Sequence, residues 1–185
     1  MESFKSYHTS ILIVSGIHGD EPAGDIVSSY FKSYPRVQVL SDINQSLKRR
    51  FQGKDLNRHF EEEGEGPIQK NIEETIEELS PSLVIDLHED DEASGLYAYC
   101  SSSLKDLVIS ALREGDLKIA SSVHGEEAEE GVIINGKQPY RGTLERYLKR
   151  REIPYITLET PSSLYPLQER VEAMRRVVKY ILRNF

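Results

Sequence analysis

The segment Ile11-Leu12-Ile13-Val14-Ser15-Gly16-Ile17-His18-Gly19-Asp20-Glu21-Pro22 decides how this chain is read. Four apolar residues in a row, three of them β-branched, suit a buried strand. The residues after them are short, glycine-containing and charged, so the strand emerges from the core close to His18 and Glu21. An imidazole and a carboxylate at that spacing can grip one divalent ion from a single turn. Two later runs end the same way: His88 closes Leu83 to Leu87, and Glu159 closes Ile156-Thr157-Leu158. Three strands ending in His, His and Glu are hard to explain as packing. They set the expectation of a zinc site.

Outward from that segment, apolar runs alternate with amphipathic ones. Residues 22–34 carry Ala23, Ile26, Val27, Tyr30, Phe31 and Tyr34 at helical spacing, with Pro22 suited to a first turn. Strands are expected at 37–40, 83–87, 96–100, 117–120 and 154–159, and helices at 67–79, 103–114, 142–151 and 167–184. Residues 41–66 read as irregular. Residues 124–141 read as a long acidic loop around a possible strand at 132–134. No repeat or linker divides the chain, so residues 1–185 form one domain. Alternating βαβ units imply a mixed, mainly parallel sheet flanked by helices on both faces, an α/β three-layer sandwich. In such sheets ligands bind beyond the carboxyl ends of the strands, where His18, His88 and Glu159 all fall.

The totals exclude several classes. With 23 basic and 31 acidic residues the formal charge is −8. No basic stripe of the kind a nucleic-acid binder carries is present. No segment has the run of roughly 20 apolar residues that a membrane span needs, and the N-terminus lacks the apolar core of a signal peptide. Cys100 is the only cysteine, which rules out an intrachain disulfide and suits a reducing cytoplasm. In an apolar strand it is expected to be structural.

Two histidines, one carboxylate and an open fourth position make the ligand set of a catalytic zinc site, not a structural one. Such an ion lowers the pKa of water to about 7 and polarises a carbonyl. A separate carboxylate must then move the proton, and Glu159, on another strand, can do so without being a ligand. Arg50 is the candidate for stabilising an oxyanion. Asn57-Arg58 offers an amide beside a guanidinium fork for a substrate carboxylate. The pair His124 and Glu127 repeats the spacing of His18 and Glu21 but has no matching downstream ligand, so it reads as a solvated loop.

The order His-x-x-Glu, Arg, Asp-x-Asn-Arg, His, Glu resembles the carboxypeptidase A-type zinc peptidases and their aspartoacylase and succinylglutamate desuccinylase relatives. The likeness runs from about Ile11 to Leu182. It implies one zinc ion on His18, Glu21 and His88, with Glu159 as general base and acid. It also implies Arg50 at the oxyanion, Asn57 and Arg58 on the substrate carboxylate, and Asp55 accepting a hydrogen bond from His18. The fold implied is the zinc carboxypeptidase-like sandwich.

Within that superfamily, Gly142-Thr143-Leu144-Glu145-Arg146-Tyr147 followed by Ile156-Thr157-Leu158-Glu159-Thr160-Pro161 looks like the peptidase branch. Small murein-peptide amidases end similarly. The deacylases continue into a C-terminal β-domain, whereas residues 160–185 read mainly as one helix. The peptidase tyrosine is expected four or five residues before Gly142, where Lys137 and Gln138 stand, and Tyr140 is the candidate to replace it. Loop 124–141 and residues 89–95, with Asp90, Asp91 and Glu92, are expected to frame the mouth and to disfavour substrates that are strongly anionic away from the anchored carboxylate. The expected activity is hydrolysis of an amide bond beside a free carboxylate, on a small peptide. The rivals are an N-acyl amino acid deacylase and a non-catalytic metal- or ligand-binding module.

Overall fold

The computed structural model describes residues 10–44, 50–51, 54–60, 66–134 and 141–185. Its strands in chain order are β1 (Ile11–Ser15), β2 (Val37–Leu40), β3 (Arg50–Phe51), β4 (Lys54–Asp55), β5 (Leu83–Asp90), β6 (Tyr97–Cys100), β7 (Ser122–Val123), β8 (Glu126–Glu127), β9 (Val132–Ile134) and β10 (Tyr155–Pro161). The helices are α1 (Pro22–Phe31), α2 (Pro67–Leu79), α3 (Lys105–Glu114), α4 (Leu144–Arg150) and α5 (Leu167–Asn184). Six strands form the main sheet in the order β2-β1-β5-β10-β6-β9. The first four run parallel, and β6 lies antiparallel to β10.

Strand alternation sorts the side chains into two layers. Ile11, Ile13, Leu83, Ile85, Ile156 and Leu158 point to the side covered by α1, α3 and α5. Leu12, Val14, Val84 and Tyr155 point to the other, covered by α2 and α4. The expected three-layer sandwich is therefore present. The second side is the one that matters for function. Continuing its parity along β5 and β10 gives Asp86 and His88, then Thr157 and Glu159, so an apolar floor turns polar toward the carboxyl ends of the strands. Gly24 lets α1 lie close on β5, because a Cβ there would sit 3.0 Å from the Leu87 carbonyl oxygen.

Several boundaries differ from expectation. Helix α1 stops at Phe31 instead of 34: Tyr34 precedes Pro35 and is biased away from helical backbone, and its N–H closes a turn on the Phe31 carbonyl at 3.0 Å. The strand expected at 117–120 is a single bridge, Ile119 to Leu96, because that one residue is all it pairs with. Where the expected acidic loop begins, β7 and β8 form a hairpin, and His124-Gly125 at its tip both take the positive φ of a tight hairpin turn. Part of the stretch read as irregular is another hairpin, β3 with β4. Among the described residues, no helix is long and apolar enough to cross a membrane.

Candidate metal centre

Three strand ends converge as their residue types require. After β1 the chain turns through Gly16, at φ +77°, and reaches His18. Glu21 follows as the N-cap of α1, its N–H on the His18 carbonyl at 3.2 Å. His88 stands on the emerging part of β5, which runs three residues past the expected end. His18, Glu21 and His88 are all buried, and their ligand atoms lie within 4.8 Å of one another. The imidazole Nδ1 atoms of His18 and His88 each lie 2.8 Å from one oxygen of the Glu21 carboxylate.

Each ring's other nitrogen meets a carboxylate too. His18 Nε2 is 2.9 Å from Asp55 Oδ1, and His88 Nε2 is 2.9 Å from Asp86 Oδ2. A carboxylate can only accept, so it holds the proton on Nε2 and leaves the Nδ1 lone pair facing Glu21. Two lone pairs aimed at one carboxylate repel unless a cation or protons lie between them. The directions of titration say the same. Burial alone would lower both imidazole pKa values, yet the surrounding carboxylates hold them raised. Burial would raise Glu21, but the two histidines hold it at about 2. Two neutral nitrogens and one carboxylate in this arrangement fit a divalent ion.

Glu159 is the Cα partner of His88 across β5 and β10, and of Tyr97 across β10 and β6. It is half-buried. Burial pushes its carboxyl well above the usual range, and the nearby charges of Glu21, Asp90 and Glu145 push it further, with His88 opposing. A carboxylate of raised basicity suits proton transfer near neutral pH.

Asp55 Oδ1, beside His18 Nε2, also accepts the Asn57 N–H at 2.8 Å. Asn57 is buried and its Oδ1 accepts the Leu144 N–H at 3.0 Å, tying this turn to the start of α4. Arg58 is exposed, its Nη1 on the Asn57 carbonyl at 2.6 Å. Gly142, at φ +76°, passes so close beneath Arg58 that a Cβ there would overlap its carbonyl oxygen. The backbone of Arg50 pairs with that of Asp55, whose side chain lies against His18. Tyr140 lies outside the described residues. His124 does not join the cluster, though it is more than a solvated group: its Nε2 lies 3.4 Å from Asp90, which also accepts the Tyr97 hydroxyl at 2.9 Å. Cys100 is buried on the opposite side of the sheet, its thiol pushed up to about 12 by burial, as a structural cysteine should be.

Three buried acids were not singled out in the sequence. Asp86 sits inside an apolar run, and its signal was its spacing, two residues before His88 on the same face. Glu89 donates its N–H to Glu21 at 3.1 Å, accepts the Ala23 N–H at 2.9 Å and meets Arg170 of α5. Glu145 accepts the Thr157 hydroxyl at 3.1 Å.

No family model matches the sequence, and no curated protein matches it. Solved structures do. A candidate metallopeptidase of Shewanella denitrificans OS217 superposes with a TM-score of 0.77 at 24% identity, covering 98% of this chain and 76% of that one. The mDAP-bound form of Helicobacter pylori Csd4, a D,L-carboxypeptidase, gives 0.71 at 18%, covering 94% of this chain and 50% of the other. The succinylglutamate desuccinylase of Chromobacterium violaceum gives 0.65 at 19%, covering 95% and 63%. Fold and site together define a zinc carboxypeptidase-like architecture with a buried His-Glu-His cluster. The same fold carries both carboxypeptidase and desuccinylase neighbours, as the sequence resemblance implied.

Proposed function

We propose that this protein is a zinc-dependent hydrolase that cleaves an amide bond next to a free carboxylate, in the manner of carboxypeptidases and murein-peptide amidases. One observation carries the reading: the Nδ1 atoms of His18 and His88 converge on Glu21, and Glu159 stands in register beside His88. His18, Glu21 and His88 would hold the ion, with Asp55 and Asp86 orienting the two rings. A zinc ion there would acidify water and polarise the scissile carbonyl. Glu159 takes the proton of the attacking water and returns it to the leaving amine, which departs neutral. Asn57 and Arg58 hold the substrate carboxylate, and Arg50 stabilises charge on the carbonyl oxygen. Tyr140 remains a proposed substrate contact from the sequence resemblance, and a cytoplasmic setting belongs to the same proposal.

Deacylation of N-acyl amino acids is the second reading, favoured by the desuccinylase neighbour. It uses the same residues. The test is one panel of substrates offered to the zinc-loaded protein. Half are peptides with free or amidated C-termini, and half are N-acetyl and N-succinyl amino acids. Cleavage of the free-carboxylate peptides alone is expected. Cleavage of the acyl amino acids alone moves the protein to the deacylase reading, and cleavage of amidated peptides at equal rate contradicts the anchoring role of Arg58.

A further inference from the structure

The β7–β8 hairpin has no part in the chemistry described so far. Ser122 and Val123 pair with Glu127 and Glu126, and His124-Gly125 forms the turn, at φ 48° and 83°. Asn and Gly are the usual choices for such a turn, so a histidine at its first position points to a task for the side chain. The tip is not adrift. Val123 is 4% exposed and packs with Ala93, Tyr97, Ala120 and Ile133, which holds the hairpin against β6. The His124 ring rests on Asp90: Nε2 lies 3.4 Å from Asp90 Oδ2, and the side chain is still 44% exposed. Asp90 is buried and held at both oxygens, Oδ2 accepting the Tyr97 hydroxyl at 2.9 Å and Oδ1 the Glu92 N–H at 2.8 Å. It stands two residues past His88 on the same face of β5. Tyr97 is the Cα partner of Glu159, so its hydroxyl reaches Asp90 across β10. His124 is the exposed member of this bridge beside Glu159.

We propose that His124 is a specificity-determining residue that accepts a hydrogen bond from the acyl side of the scissile amide. This deepens the hydrolase reading and rests on its carboxylate anchor. The anchor turn meets the cluster through Asp55 on His18, and the hairpin meets it from the other direction, through Asp90. With the substrate carboxylate at Asn57-Arg58 and its carbonyl at the ion, the acyl part runs toward Asp90. His88 and Asp90 are about 7 Å apart along the strand, and an extended substrate advances about 3.5 Å per residue. The first backbone N–H beyond the scissile carbonyl is thus within reach of the imidazole. The surroundings of the ring select a donor. Asp90 can only accept, which favours the proton on Nε2 and leaves Nδ1 as an acceptor. Asp91 and Glu92 follow Asp90, Glu126 and Glu127 follow the turn, and all four are exposed, so an anionic acyl group is disfavoured. A peptide offers an amide N–H at this point, whereas an acetyl or succinyl group offers none. His124 therefore favours substrates whose acyl part is itself an aminoacyl residue.

The test is equilibrium binding of two ligands to the zinc-loaded protein, so it does not require turnover. Both end in an alanine carboxylate and carry CH2 in place of the scissile N–H, so neither can be cleaved. One has an N-acetylglycyl acyl group. The other has acetoxyacetyl, in which an oxygen replaces that single acyl-side N–H. Wild type is expected to bind the first about tenfold more tightly. His124→Gly suits the positive φ of the turn, and it is expected to bring the two within about threefold by losing affinity for the first. Equal binding of the two by wild type overturns the proposal, with no variant needed, and so does a preference that survives in His124→Gly. Binding of neither ligand overturns it as well. A histidine that only shapes the hairpin would weaken both ligands alike in the variant and leave the preference unchanged, which also overturns it. Selective binding without hydrolysis of any peptide keeps His124 in its role and rejects the hydrolase.

Discussion

His18 and His88 present the same nitrogen to the same carboxylate because Asp55 and Asp86 claim the other one. This makes Asp86 a positioning residue for His88. Asp86→Asn keeps the shape and removes the charge, and it is expected to weaken metal binding by about 10–100-fold in competition with a chelator. Unchanged affinity would take Asp86 out of that role. The protons that stand in for a metal also fix the pH response of the metal-free protein. With pKa values raised above the ordinary 6.5, the two histidines contribute stability fully below that value and lose it as pH rises through their folded-state pKa values. Glu21, held at about 2, contributes above the ordinary carboxylate range and loses its part only as pH falls toward that value. The chelated protein should therefore melt at a lower temperature near pH 8.5 than near pH 6.5. Metal loading should reverse this order, because the ion displaces those protons and binds more tightly as pH rises. A chelated protein that grows steadily more stable across that range would show that the protons are not held. The members of the cluster were legible in the sequence, since His88 closes one apolar run and His18 and Glu21 follow soon after another. Asp86 was not, because an acid inside Leu83–Leu87 reads as a blemish in a strand until its parity with His88 is seen.

At the scale of elements, the cluster depends on how α1, β5 and α5 are fastened together. Glu89 joins all three: its backbone N–H holds Glu21, and its carboxylate takes the first turn of α1 and Arg170 of α5. The start of α1 suits a carboxylate through its free N–H groups and dipole. Arg170→Ala removes the cation from a buried pair and is expected to cost about 3 kcal/mol of stability in chemical denaturation. A loss below about 0.5 kcal/mol would mean that the pair contributes no more than an exposed one. Most elements could be read from periodicity, because β1, β5 and β10 each carry an apolar run, broken by Asp86 in β5 and Thr157 in β10, and α5 carries a regular stripe. The failures have local causes. Pro35 ends α1 early, and residues 117–120 lack a strand to pair with. The β7–β8 hairpin turns on His124-Gly125, whose positive φ values the alternation of apolar residues does not report.

For the whole molecule, three of the four parallel strands deliver one candidate site residue after another to the same edge. His18 and Glu21 follow β1, His88 lies on β5 and Glu159 on β10. The order in the sheet, β1-β5-β10, is why Glu21 lies near enough to Glu159, far along the chain, for their charges to act on one another. Long-range register of this kind is invisible to local pattern, and the resemblance to zinc peptidases supplied it. Resemblance alone could not choose between peptide and acyl amino acid substrates, and neighbours of both kinds share the fold. The central claim, that this edge is a hydrolytic metal centre served by Glu159, is tested most directly by one comparison. Zinc content and turnover of a free-carboxylate substrate are measured side by side in wild type and Glu159→Gln. The account predicts about one zinc per chain in both proteins, with turnover in the variant lower by at least about a thousandfold. Equal turnover, or loss of zinc together with Glu159, would contradict it.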